Sequence, residues 1–342
     1  MTKHEIMNAN STNIHHVPDE SVNLIVTSPP YPMIEMWDEM FCKQEPCIES
    51  FLNDGQGIEA FNAMHQLLNK VWEECDRVLT KNGFICINIG DATRTIKDTF
   101  QLFSNHTMII NFFLKKGYSI LPDIHWRKQS NSPNKFMGSG MYPAGAYVTY
   151  EHEYILIFRK GGKRVFKGNE KKSRQKSAYF WEERNVWFSD LWDVRGVSQT
   201  ISNTSNTRSR NASYPFEIPY RLINMYSAEG DTVLDPFGGL GTTTLAAMAS
   251  NRNSISVEID PIIVQLAIEN VSITPNALNK IINKRLSSHR EFIETLSEEK
   301  KEKCYFNKAH DFLVKTRQEM EIHIQQIDQI TVNANQITCT YK

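Results

Sequence analysis

Apolar residues come in unbroken or nearly unbroken runs at residues 22–26, interrupted by Asn23, at residues 84–89, interrupted by Asn88, and at Val233-Leu234. Such runs lack the alternation of a half-buried strand. They predict strands covered on both faces, the pattern of a parallel sheet. Shorter apolar segments at residues 5–7, 120–126, 153–158 and 255–260 add strands. The second and third of these predict an antiparallel pair closing one side of the sheet. Between the strands the period changes. Phe61, Met64, Leu67, Leu68, Val71 and Cys75 recur at i, i+3, i+4 and predict an amphipathic helix over residues 58–79, ended by Lys81-Asn82-Gly83. Residues 99–116 and 244–250 predict further helices. Residues 32–57 read as a long irregular stretch, and residues 129–145 as a Gly/Pro/Ser-rich loop. Residues 276–330 read as charged and helical, with apolar positions at Ile281, Ile282, Leu286, Phe292, Ile293 and Leu296. Ile337, Cys339 and Tyr341 alternate as an edge strand would. Strands alternating with helices give an α/β fold.

The candidate chemistry lies where strands end. Residues 22–26 run into Thr27-Ser28-Pro29-Pro30-Tyr31. Two prolines forbid both helix and ladder there, so a short rigid loop follows a core strand. In open α/β sheets ligands bind at that edge. The loop offers a hydroxyl, two carbonyls and an aromatic plate, parts that suit a flat base carrying an exocyclic amine. A proline-braced turn with no chemistry is the alternative. Val233-Leu234 runs into Asp235-Pro236-Phe237-Gly238-Gly239-Leu240-Gly241-Thr242-Thr243. Glycines at a strand end let the backbone approach a ligand closely. The loop lacks the Lys-Ser/Thr ending of a phosphate loop, which argues against a nucleoside triphosphatase. About twenty residues on, the next strand ends in Glu258, placed to bond ribose hydroxyls, with Asp260 starting a helix. Asp91 follows the strand at residues 84–89. It either lines the pocket or caps the helix after it.

Composition narrows the class. The chain has 342 residues, 40% of them hydrophobic, and a net charge of −1, so no global field draws it to nucleic acid. Its six cysteines form no Cys-x-x-Cys and no His/Cys cluster, which points to a reduced cytosolic protein without structural zinc. No apolar run approaches membrane-spanning length, and no metal site is read. The charge is uneven, however. Residues 159–176 hold nine basic residues against one acid, Glu170, a local net of +8. Aromatics follow (Tyr179, Phe180, Trp181, Trp187, Phe188, Trp192), then a Ser/Asn/Thr-rich stretch with Arg195, Arg208 and Arg210. This is either a solvated face or a nucleic-acid surface. The interleaved aromatics favour the latter, with Lys163, Arg164, Lys171, Lys172, Arg174, Arg208 and Arg210 as candidate DNA contacts.

Ser28-Pro29-Pro30-Tyr31 after a hydrophobic strand, together with Asp235 to Thr243, resembles the two motifs of the DNA amino-methyltransferases. The second motif matches Asp-Pro-Phe-x-Gly-x-Gly-Thr-Thr at every fixed position. The resemblance covers roughly residues 1–273. It implies a Rossmann-like methyltransferase fold, a seven-stranded mostly parallel sheet, with the catalytic loop ahead of the cofactor loop in the circularly permuted order of the beta class. It implies S-adenosylmethionine as cofactor and duplex DNA as substrate, with the target base flipped out of the stack. Ser28, Pro29, Pro30 and Tyr31 would be catalytic. Asp235, Pro236, Phe237, Gly239, Gly241, Thr242 and Glu258 would hold the cofactor, helped by Tyr214 and Pro215, where Tyr214 replaces the family's usual histidine. A Gly-Asp pair common near residue 9 of such chains is absent here. The chain would divide into a catalytic half (1–162), a target-recognition insert (163–211), a cofactor half (212–275) and a helical C-terminal extension (276–342). Serine at the head of the catalytic loop, preceded by Thr27, resembles the N4-cytosine type and implies a restriction-modification methylase, with a cognate endonuclease acting separately. N6-adenine methylation, an RNA methyltransferase and a non-catalytic DNA-binding protein are the alternatives. Pro46-Cys47 does not match the flanks of the cytosine C5 nucleophile motif, so no covalent cysteine step is expected.

Overall fold

The computed structural model describes residues 1–128, 137–196, 214–272 and 274–342. Its main sheet contains β1 (Thr2–Asn8), β2 (Val22–Thr27), β3 (Leu79–Ile89), β4 (Ser119–Arg127), β5 (His152–Arg159), β6 (Leu191–Trp192), β7 (Thr232–Asp235), β8 (Asn253–Glu258), β9 (Ile327–Asn333) and β10 (Gln336–Tyr341). Their spatial order is β6-β4-β5-β3-β2-β7-β8-β1-β10-β9. Only β5 and β10 run against the rest of this sheet. The central strands β4 to β1 in that order are the mostly parallel sheet expected from the apolar runs. β6 extends one edge, and β10 and β9 extend the other.

Side chains alternate between two cores, because successive residues of a strand face opposite ways. Ile25, Ile85 and Ile87 pack under the long helix α3 (Gly57–Val78) and α4 (Asn105–Lys115). Leu24, Val26 and Cys86 pack on the other face, under α7 (Glu217–Tyr226), α8 (Thr242–Met248), α9 (Pro261–Ser272) and α10 (Pro275–Glu294). Both faces are covered, which explains why β2 and β3 read as continuous apolar runs. Among the described residues, no helix is long and apolar enough to cross a membrane.

Several elements differ from the sequence reading. Residues 32–57 are not irregular: α1 (Asp38–Gln44) and α2 (Cys47–Asp54) occupy most of them, and Met33, Phe41 and Ile48 are core residues. Each helix has about two turns and they are separated by Pro46, too short for a period to emerge. The predicted helix over 99–116 begins only at Asn105. Thr99–Phe103 pairs instead with Ala92–Ile96 as a hairpin. Of the charged tail, α10 ends at Glu294, and a short hairpin of Tyr305–Asn307 with Phe312–Val314 follows. The strand at Ile337, Cys339 and Tyr341 is not the edge. It lies between β1 and β9, with Ile337 and Cys339 buried, so the tail is part of the main sheet.

The basic run is placed away from the catalytic edge. β5 starts beside the carboxyl end of β3 and delivers the chain to the opposite edge, where Arg159 pairs with Phe84. There Lys160 Nζ lies 3.2 Å from Asp76 and donates to the carbonyls of Asp76 and Leu79. Arg164 Nη1 lies 2.7 Å from Asp231, just before β7 begins. α5 (Gly168–Lys176), which carries Lys171, Lys172 and Arg174, has no buried residue. Phe166 is held between the guanidinium groups of Arg164 and Arg174, at 4.4 and 4.8 Å. Lys163, Arg164, Lys171, Lys172 and Arg174 therefore stand at the amino ends of the parallel strands. The antiparallel direction of β5, invisible in a charge count, is the reason. After α6 (Trp181–Trp187) the chain returns with β6 to the carboxyl edge. Arg208 and Arg210 lie outside the described residues.

Candidate active site

The strand order reverses between β2 and β7. From that junction β3 continues to one side and β8 and β1 to the other. Crevices outside the carboxyl ends of strands at such a point are where open α/β sheets bind ligands. A cavity of about 830 Å³ opens there. It is lined by Ser28, Pro29, Pro30 and Tyr31 from the loop after β2, and by Asp235, Pro236, Phe237, Gly239 and Thr242 from the loop after β7. Glu258 at the end of β8 and Tyr214-Pro215 ahead of α7 also line it. Gly241 does not. It is left-handed, with φ +81°, and starts α8 as the residue before its first turn.

The two loops are tied together. Thr27 Oγ1 donates to Asp235 Oδ1 at 2.6 Å, and Thr243 Oγ1 donates to Asp235 Oδ2 at 2.5 Å. Phe237 N–H donates to Oδ1 at 3.0 Å. Tyr214 Oη lies 2.5 Å from Thr243 Oγ1, which extends the chain of bonds to the far wall. Burial pushes the Asp235 carboxyl up, and the two hydroxyls and the amide pull it back. Glu258 is held in the same way: burial raises it, against the amides of Asp260 and Gly239, which donate at 3.0 Å each. Asp260 Oδ1 accepts from the Ile262 amide at 2.9 Å and so starts α9, as expected. In place of a Gly-Asp pair near residue 9, Asn10, Ser11 and Thr12 line the cavity, and Ser11 Oγ donates to the Pro236 carbonyl.

The residues present fit a methionine-nucleoside cofactor. Gly239 has φ +49°, and a Cβ built there would meet nothing nearer than the Phe237 carbonyl at 4.0 Å, so the bare backbone faces open cavity. Glu258 still has acceptor capacity beyond its two amide bonds, since a carboxylate takes about four hydrogen bonds.

On the other side of the cavity lies a polar cluster that the sequence reading did not assemble. Tyr31 Oη donates to Glu153 Oε2 at 2.9 Å. Asn88 Nδ2 donates to Glu153 Oε2 at 2.7 Å and to Tyr31 Oη at 2.8 Å. Ser28 Oγ lies 3.2 Å from Tyr31 Oη. Lys128 pairs with Glu153 Oε1 at the cavity wall. Asn88 interrupts an apolar strand, the one signal the sequence held, whereas Glu153 stands at the head of β5 between His152 and Tyr154. A buried polar residue in a core strand needs partners. Trp126 is a core aromatic, and its indole donates to the Val194 carbonyl at 2.7 Å. Asp91 caps a helix: its Oδ1 accepts from the His106 amide at 3.1 Å in the first turn of α4. The intervening hairpin had hidden which helix it serves.

A doubly wound α/β sheet with a proline-braced loop and a glycine loop sharing one switch-point cavity is the arrangement that the resemblance to S-adenosylmethionine-dependent methyltransferases implied. The comparisons narrow the class. The chain belongs to the DNA methylase family, whose model matches residues 22–269. A second model, of the TRM5/TYW2 methyltransferase domain, matches residues 220–336. The chain is 53% identical over 326 residues to the Type II methyltransferase M.MthZI of Methanothermobacter thermautotrophicus, covering 94% of this chain and 90% of that one. It is 47% identical over 293 residues to the Type II methyltransferase M.MjaI of Methanocaldococcus jannaschii, covering 82% and 95%. Among solved structures, a protein of Thermus thermophilus assigned as a DNA modification methylase, complexed with S-adenosyl-L-methionine, superposes with a TM-score of 0.60. That match has 30% identity and covers 79% of this chain and 95% of that one. The protein is thus a site-specific Type II DNA methyltransferase that uses S-adenosylmethionine.

Proposed function

We propose that the protein methylates the exocyclic N4 of cytosine in duplex DNA, in the beta-class arrangement, as the modification half of a restriction-modification system. A cognate endonuclease would act separately. The observation that carries the reading is the single cavity onto which Ser28-Pro29-Pro30-Tyr31 and the glycine loop both open, with Thr27 and Asp235 fastening one loop to the other.

S-adenosylmethionine, when bound, supplies the electrophilic methyl of its sulfonium. Gly239 and Glu258 would hold its nucleoside end, and Asp235 keeps the loop in shape. The target base is flipped into the cavity because its amine is buried in the helical stack. Tyr31 stacks on the base. Ser28 Oγ and the Pro29 carbonyl accept the amine's two hydrogens and draw the nitrogen out of conjugation, so that its lone pair becomes available. Proline carbonyls in this loop have no neighbouring amide donor of their own to compete. The work is positioning and electrostatic support. The choice of cytosine rests on the Thr27-Ser28 head of the loop, which resembles the N4-cytosine type. Thr27 contributes through Asp235, where its hydroxyl is engaged. For phosphate contact we look to Arg127 and Arg195, exposed at the carboxyl edge, in place of the basic run on the opposite edge.

Ser28→Ala tests this reading. It should lower the single-turnover methylation rate about a hundredfold, the scale of losing one oriented donor or acceptor at a reacting atom. Its affinity for S-adenosylmethionine, measured by calorimetry, should stay within about twofold. Methyl transfer at the wild-type rate would overturn the assignment of Ser28.

A further inference from the structure

We infer that Glu153 is a positioning residue that sets the direction of the hydroxyl protons in the catalytic loop, so that Ser28 meets the incoming amine with a lone pair and not with its own proton. The inference rests on the reading above that Ser28 accepts an amine hydrogen.

The direction follows from counting donors and acceptors. The Tyr31 phenol has one proton and three polar neighbours: Glu153 Oε2 at 2.9 Å, Asn88 Nδ2 at 2.8 Å and Ser28 Oγ at 3.2 Å. An amide nitrogen only donates and a carboxylate only accepts. The phenol proton therefore goes to Glu153, and the phenol oxygen is left to accept from Asn88 and Ser28. Tyr31 keeps that proton, because burial, and then the Glu153 charge beside it, hold its pKa well above 10. The same carboxylate fixes the Asn88 amide. Nδ2 lies 2.7 Å from Glu153 Oε2, and the reversed amide would set oxygen against oxygen. With its proton committed to Tyr31, Ser28 can offer only lone pairs elsewhere. Asn88 Nδ2 is 3.4 Å away, a weak claim on one of them, and Ser28 lines the cavity.

The surroundings fit a group held for this task. Glu153 is 7% exposed, at the start of β5. Its second oxygen pairs with Lys128, whose ammonium lies 4.8 Å from the Trp126 ring centre. Gly90 makes the close packing possible: a Cβ there would stand 3.0 Å from the Tyr31 ring and 3.3 Å from Glu153 Cγ. Without the carboxylate, the Tyr31 proton is left to Ser28 Oγ or, once the amide is free to reverse, to Asn88 Oδ1, and the direction of the chain is no longer set. Where the proton goes to Ser28, that hydroxyl turns its own proton toward the cavity, donor facing donor when the amine arrives.

A double-mutant cycle on single-turnover methylation of duplex DNA tests this. Glu153→Leu and Tyr31→Phe should each lower the rate about tenfold, the value of one hydrogen bond in the reacting geometry. The double variant should also lose about tenfold, not a hundredfold, because both changes cut the same chain. Glu153→Gln, which keeps one acceptor oxygen for the phenol but turns an amide toward Lys128, should fall between leucine and wild type. S-adenosylmethionine affinity should be unchanged throughout. If the leucine variant does not bind the cofactor, Glu153→Ala takes its place in the cycle with the same criterion. Multiplying effects, or a wild-type rate in Glu153→Leu, overturn the inference. Ser28→Ala is run alongside: a wild-type rate there overturns the parent reading, whereas an impaired Ser28→Ala with a multiplicative cycle overturns only the role of Glu153.

Discussion

Gly239→Val should abolish measurable binding of S-adenosylmethionine while leaving the protein folded. Two properties of the position combine. Its φ of +49° is left-handed, a region that β-branched residues avoid. Its missing Cβ points where no protein atom lies within 4 Å except the Phe237 carbonyl at 4.0 Å. A valine side chain therefore displaces a ligand before it displaces the fold. It also strains the turn that lets the Gly239 amide donate to Glu258 at 3.0 Å. A loss of affinity of at least about a hundredfold corresponds to roughly 3 kcal/mol, within what a blocked backbone approach and a displaced carboxylate can supply together. Calorimetry with the purified variant measures it, with circular dichroism as the check on folding. Wild-type affinity would mean that the cofactor does not approach this glycine.

Asp235→Ala should instead be felt by the fold. The carboxylate accepts from Thr27, Thr243 and the Phe237 amide, and is 2% exposed. Alanine leaves the Thr27 hydroxyl and the Phe237 amide without an acceptor, while the Thr243 hydroxyl can turn to Tyr214 Oη. An unsatisfied buried donor costs about 1–3 kcal/mol. Removing the carboxylate also relieves its own desolvation, the cause of its raised pKa, so the net loss should be about 3 kcal/mol and not the full sum. Urea denaturation should show it as a lower midpoint with an unchanged slope. Asp235→Asn keeps one acceptor oxygen but turns an amide toward the other donors, and should fall between alanine and wild type. An unchanged midpoint in Asp235→Ala would show that the two loops do not depend on this tie.

What the sequence made legible follows the strength of each local signal. β2, β3 and β7 were visible because a strand covered on both faces leaves an uninterrupted apolar run, and their loops were visible because proline and glycine fix backbone shape. α3 was visible because its six quoted apolar positions repeat over several turns. The failures are of two kinds. α1, α2 and the hairpin of residues 92–103 are too short for periodicity to separate helix, strand and loop. Placement is the second kind. A run of nine basic residues says nothing about which edge of a sheet it reaches, and only the antiparallel direction of β5 carries residues 160–176 to the edge opposite the cavity. The cluster of Asn88, Tyr31 and Glu153 is hidden for the same reason: its members are brought together by the β3–β5 pairing, far apart in the chain. Glu153 sits between His152 and Tyr154, ahead of the apolar residues of its strand, so nothing local sets it apart.

The central claim is the atom that receives the methyl group. Duplex DNA carrying the recognition site is methylated with S-adenosylmethionine, digested to nucleosides and separated by mass spectrometry against authentic standards. The account predicts N4-methylcytosine as the product, formed about a hundredfold more slowly by Ser28→Ala. N6-methyladenine as the sole product would contradict the cytosine assignment while leaving the amine-holding loop in place, and 5-methylcytosine would contradict the mechanism itself.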